Sequence, residues 1–104
     1  MIDPKDTTAG MVIIASQELA ILLDKLRLEL DTLISLYELD TDAINLVLAA
    51  HKAWRRFIKA ELELVKYEWS GGTICPLLVN GRYQSLVLSR IKDLRDAIET
   101  KKKL

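Results

Sequence analysis

Apolar residues recur at Val12, Ala15, Leu19, Leu22, Leu26, Leu30, Leu33 and Tyr37. Steps of three and four match the helical repeat and draw one stripe along a helix. Ile21, Leu28 and Leu36 widen that stripe, a breadth that predicts packing against two neighbours or a homodimer through this first helix. The pattern breaks at Leu39-Asp40-Thr41-Asp42, where Asp40 or Thr41 can accept a hydrogen bond from the free amides of a new helix. A second stripe runs through Ala43, Val47, Ala50, Trp54, Phe57, Glu61 and Leu64, one member charged. Ser70-Gly71-Gly72 closes it, because Gly tolerates the left-handed exit from a helix. Thr73 is then the expected cap of a third helix, with Pro76 in the first turn, where a missing N–H costs least. The third stripe is Val79, Tyr83, Leu86 or Val87, Arg90, Leu94 and Ile98, again with one charge.

No stretch alternates with period two for long enough to form a strand. The pattern predicts an all-α fold, an antiparallel three-helix bundle with helices at about 11–38, 42–69 and 74–101. One domain over residues 1–104 is expected, with residues 1–9, which hold two Asp, a Pro and two Thr, as a flexible arm.

Composition narrows the function classes. Half of the 104 residues are apolar and only six are aromatic, so the core is aliphatic. The net charge of zero is unevenly spread: residues 1–42 hold three basic and nine acidic side chains, whereas residues 79–104 hold seven and three. Ends of opposite sign attract within a bundle or between subunits. The only basic run is Lys101-Lys102-Lys103, which suits a helix C-terminus better than the wide basic face of a nucleic-acid binder. No nucleic acid is therefore expected as partner. The early run Met11–Ala15 is too short to span a membrane, and the segment before it is not that of a secretory leader. With one cysteine, no internal disulfide can form. The chain as written reads as cytoplasmic; a leader removed from it would place it in the periplasm or outside the cell.

Candidate chemistry is sparse. One His and one Cys, without clustered carboxylates, do not make a metal site, and no Gly-rich phosphate loop follows a strand. No cofactor is expected, and no nucleophile stands beside His51, so the chain does not read as an enzyme. Cys75 falls in the first turn of the third helix, where it is either a small apolar residue or a thiol activated by the helix dipole. The mixed charges of the second helix, among them Arg55, Arg56, Lys59, Glu61 and Glu63, read as a solvated face.

Ala-Ala-His-Lys-Ala-Trp at 49–54, Phe57, Ala60-Glu61, Gly71-Gly72-Thr73, Pro76, Leu86, Arg90 and Leu94 stand together at a characteristic spacing. Over residues 46–95 this combination resembles the LprI-like lysozyme-inhibitor family of bacterial secreted and lipid-anchored proteins. The resemblance implies a small helical binding protein that blocks lysozyme or another cell-wall hydrolase. An immunity or interaction protein for a different toxin, on the same scaffold, is the alternative. The family's two cysteines fall on Leu62 and Arg82, its Arg-Asp pair on Ile58 and Lys59, and its Gln on His51; Asp93 stands for its Glu. If positions 62 and 82 lie opposite one another, as the family disulfide implies, Arg90 faces Trp54, Asp93 faces His51, Tyr83 faces Glu61, and Arg82 lies level with Glu61. His51, Trp54, Glu61, Arg82, Arg90 and Asp93 are thus expected to form a polar cluster, either fixing helix register or binding a partner. The turn at Gly71, Gly72 and Thr73 is the expected presented loop.

Overall fold

A computed structural model of the chain describes residues 7–104; most of the expected arm lies outside these residues. Three α-helices follow in order: α1 (Thr7–Leu36), α2 (Thr41–Glu68) and α3 (Cys75–Lys103). No strand occurs among the described residues, and the all-α bundle expected from the period is the fold. Helix α1 begins earlier than expected, so residues 7–9 are helical and not part of an arm.

The punctuation works largely as the residues predict. Asp40 is the cap of α2, its carboxylate accepting from the Ala43 amide at 3.1 Å. Gly71 takes φ +81° at the exit from α2, a left-handed conformation that costs a side chain about 1–2 kcal/mol. Thr73 does not cap α3. The capping position is Ile74, which offers no side-chain acceptor, and the Gly72 carbonyl instead accepts from the Cys75 amide at 3.2 Å. Pro76 sits in the first turn of α3 as expected.

Helix α3 is the central element. It packs most extensively on α1 and also on α2, while α1 and α2 scarcely touch. Leu26, Leu30 and Leu33 of α1 interlock with Val87, Ile91, Leu94 and Ile98 of α3 in one buried cluster. The eight residues of the central line of the predicted α1 stripe, from Val12 to Tyr37, are all at least half-buried. The breadth does not reflect two packing neighbours within the chain: Met11, Ile13, Ile14, Ile21 and Leu28 remain exposed on α1. The helix with two partners is α3, whose Leu86 and Arg90 lie on one flank and whose Ile91 joins the α1 cluster.

α1 and α3 run parallel, as a three-helix chain reversal requires. Polar contacts hold their register at three levels. Gln84 Nε2 donates to the Ala15 carbonyl at 3.0 Å. Arg95 Nε donates to Glu29 Oε1 at 3.0 Å. Lys101 Nζ stands 4.7 Å from the Tyr37 ring centroid, a cation–π contact.

The second stripe is corrected at Ala50, Phe57 and Leu64. The inward residues of α2 are Ala43, Ile44, Val47, His51, Trp54, Ile58, Glu61, Leu62 and Val65, whereas Ala50, Phe57 and Leu64 are exposed. From Trp54 a step of four to Ile58 keeps the row on α3; a step of three to Phe57 leaves it. Helix α2 carries two apolar rows, and only one is covered.

Candidate functional site

The face that α2 turns towards α3 is held at two places. Arg82 Nη2 lies 3.5 Å from Glu61 Oε2, and the Arg90 Cζ lies 5.9 Å from the Trp54 ring centroid. Both pairings fit the register implied by setting position 62 against position 82. Leu62 and Arg82, the positions of the family cysteines, are both half-buried. An apolar side chain and an ion pair stand on this face in place of a covalent clamp.

His51 stacks on Trp54 with ring centroids 5.3 Å apart and 26° between planes. One turn of α2 thus carries an imidazole and an indole stacked together, with the Arg90 guanidinium over the indole. His51 Nδ1 and Arg90 Nε are enclosed without a hydrogen-bond partner. Asp93 is exposed; it forms no ion pair within 4.0 Å with His51 or Arg90, although its charge favours the Arg90 guanidinium against the burial that lowers the Arg90 pKa. Of the six expected cluster residues, the structure joins His51, Trp54 and Arg90 in one group and Glu61 with Arg82 in a second. Asp93 stands at the rim of a groove with Leu33, Tyr37, Val47 and Arg90.

Burial, then the charges of Arg90 and Arg55, lower the His51 pKa below its ordinary 6.5. The folded chain therefore takes up a proton at His51 less readily than the unfolded chain does. As pH falls below 6.5 the unfolded state binds more protons, so stability is lost on acidification and is complete at neutral pH. Between pH 7 and pH 5 the melting temperature should accordingly fall further for the native chain than for His51→Phe, whose ring keeps the stack on Trp54. Thermal unfolding of both proteins at the two pH values measures this. Equal losses would remove His51 from the acid sensitivity.

A second feature adjoins the stack. An open groove of about 530 Å³ is lined by Lys52, Arg55, Arg56 and Lys59 around Trp54, Ile58, Leu62 and Tyr83. Among the described residues none of these four cations lies within 4.0 Å of a carboxylate. They are mutual neighbours at spacings of three and four along α2, where each like-charge contact costs about 0.2–0.5 kcal/mol. Arg55, Arg56 and Lys59, expected on a solvated face, are indeed exposed. Their spacing was the available signal, because helical surface charges usually alternate in sign to gain these contacts. Two cations belong to a turn in which the family pattern places Arg-Asp at 58 and 59. Here Ile58 is buried against the bundle and Lys59 joins the groove.

The turn Gly71, Gly72 and Thr73 is exposed at the α2–α3 end of the bundle. Cys75 is a free, half-buried thiol beside Val12, Leu19, Pro76 and Val79, surroundings that suit a small apolar residue.

A search of curated proteins and one of solved structures each find no match. A family model described as lysozyme inhibitor LprI matches residues 3–94. That span takes in most of all three helices and every residue of the stacked cluster, and on this ground the chain belongs to the LprI lysozyme-inhibitor family.

Proposed function

We propose that the chain is a binding protein, one LprI-like domain over residues 1–104, that blocks a cell-wall hydrolase of the lysozyme class by docking the cationic groove of α2 on the enzyme's acidic cleft. The observation that carries this reading is the set Lys52, Arg55, Arg56 and Lys59, four cations without a carboxylate partner among the described residues, standing around the rings of Trp54 and Tyr83. Glycoside hydrolases of this class work with paired Asp and Glu side chains in a sugar-binding cleft. A cationic ridge meets that charge, and an exposed aromatic edge meets the apolar floor on which sugar rings pack. Repulsion among the four cations in the free chain is relieved when carboxylates arrive, so binding gains what the free helix lacks.

Within this reading the His51–Trp54–Arg90 stack and the Glu61–Arg82 pair are supports. They hold α2 in register on α3 so that Arg55 and Lys59 project from a fixed face. The exposed turn Gly71–Thr73 lies at the end of the same helix, within reach of the rim of a bound enzyme. The activity is inhibition by occupation and not catalysis. A hydrolase of the cell wall acts outside the cytoplasmic membrane, so the reading places the chain there. No described helix is long and apolar enough to cross a membrane.

The test is titration of the purified chain into lysozymes of several types at low and moderate salt. Binding with a micromolar or tighter Kd that weakens at least tenfold between about 50 and 300 mM salt is the expected result, because exposed charge pairs are screened over about a Debye length. Salt-independent binding would show that another surface carries the contact.

A further inference from the structure

α2 has an outer face that the bundle does not use. Leu46, Ala50, Ala53, Phe57, Ala60, Leu64 and Tyr67 are all exposed, Leu46 by 72%, Phe57 by 48%, Leu64 by 52% and Tyr67 by 81%. Their steps alternate four and three without a break. That is the a/d repeat of a coiled-coil seam, in which Ala50, Phe57 and Leu64 hold one core position and Leu46, Ala53, Ala60 and Tyr67 the other. α1 also leaves Ile14, Ile21 and Leu28 exposed, but that row has one apolar position in seven where a seam needs two. We propose that the outer face of α2 is a self-association seam, on which a second copy of this chain lies antiparallel about a two-fold axis.

Two observations single out a second copy as occupant. The first is size. In an antiparallel pair each a residue meets a d residue of the other helix. One register sets Phe57 against Ala60 of the other copy, Leu64 against its Ala53, and Tyr67 against its Ala50. Every layer then joins a large side chain to a methyl group, so the helices keep one separation along the whole contact. A parallel pair would instead stack Phe57 on Phe57 and Ala53 on Ala53, layers that demand different separations.

The second observation is charge. The same register brings the flanking Arg56 of each copy level with Glu63 of the other, two attractive contacts related by the two-fold. Moving the register by one heptad in either direction replaces that pair: one way Arg56 meets its own copy, the other way Glu63 does, and both repel. Among the described residues Glu63 pairs only with the exposed Lys66, at 3.5 Å, a contact readily exchanged. Size and charge select the same register, which a face shaped for an unrelated partner has no reason to do. In this register Leu46 projects past the pairing, and the paired seam from Ala50 to Tyr67 is about 26 Å long at 1.5 Å per residue. That is a small interface beside the roughly 1,200 Å² at which stable complexes begin, so a dimer that dissociates in the micromolar range is expected.

Sedimentation equilibrium of the full chain from about 5 to 500 µM tests this. The apparent mass should rise from 11.8 kDa towards twice that value. Ala53→Glu with Ala60→Glu should stay monomeric to the top of the range while keeping its helical circular dichroism, since both sites are exposed on a helix. Arg56→Glu alone, and Glu63→Arg alone, should each weaken the dimer tenfold or more, and the two together should restore it. A native chain that stays monomeric at 500 µM overturns the proposal. So does a dimer indifferent to Glu at 53 and 60, which would point to another surface such as the exposed row of α1. Failure of the swap to rescue would overturn the antiparallel register. Arg56 also lines the cationic groove, but hydrolase binding does not enter these outcomes, and the Ala53 and Ala60 substitutions lie outside the groove, so the seam is tested apart from it.

Discussion

Replacing Lys52, Arg55, Arg56 and Lys59 together by glutamate should abolish hydrolase binding. Each of these side chains lines the open groove and has no carboxylate partner among the described residues, so in a complex each is free to meet an enzyme carboxylate. An exposed charge pair contributes about 0.2–1 kcal/mol. Reversal replaces that attraction by a comparable repulsion, and four reversals amount to roughly 2–8 kcal/mol, or at least tenfold in Kd. Lys59→Glu also lies four residues from Glu63, a new like-charge neighbour that weakens the helix a little. Replacement of all four by glutamine removes the charge without adding that repulsion and serves as the folding control. It should lose about half as much binding free energy, roughly 0.8–4 kcal/mol, while melting near the native temperature. Glutamate at Lys101, Lys102 and Lys103, outside the groove, should leave affinity within about threefold. Isothermal titration gives the affinities. A four-glutamine variant that binds like the native chain would remove the groove from the interface.

Leu94→Ala should cost about 3–4 kcal/mol of stability. Leu94 is 2% exposed and belongs to the central cluster with Leu26, Leu30, Leu33, Val87, Ile91 and Ile98. It also borders the place where Tyr37 and Val47 approach α3, so truncation opens a void where all three helices meet. Side chains fixed on three helices collapse little into such a void, and so the cost falls near the middle of the range of about 2–5 kcal/mol for this change. For a chain of this size that corresponds to a fall in melting temperature of roughly 15–25 °C. Leu28→Ala removes the same atoms from an exposed position on α1 and should change stability by no more than about 0.5 kcal/mol. Thermal and urea unfolding of the two variants side by side make the comparison. Similar losses would mean that α3 is not the packing centre.

The sequence made the fold class plain and the faces only partly so. α1 has one covering partner, and the central line of its stripe from Val12 to Tyr37 was legible, whereas its edges were not: Ile21 and Leu28 are exposed, and Leu23 and Ile34 pack on the core. α2 carries two apolar rows, and nothing in its own period says which of Phe57 and Ile58 turns inward. That choice is made by the crossing with α3. On α3 the stripe included Arg90, whereas the row towards α1 runs through Ile91. A central helix buries two flanks, and a single line drawn through it mixes them. The stack of Trp54 under Arg90 was legible because the LprI-like spacing supplied a register that periodicity alone lacks. The groove was not legible as a groove. Lys52, Arg55, Arg56 and Lys59 are ordinary surface residues until the bundle leaves Tyr83 and Leu62 beside them. Thr73 was read as a cap from its chemistry, but the chain turns into α3 one residue later, at Ile74.

The most direct measurement of the central claim is the clearing of a cell-wall suspension by lysozymes of several types, followed by turbidity with and without the purified chain. At least one type should be slowed at a near-stoichiometric ratio in low salt, and the four-glutamine variant should lose most of this effect. Clearing by every type that proceeds unchanged at tenfold molar excess, or inhibition that the four-glutamine variant retains in full, would contradict the claim.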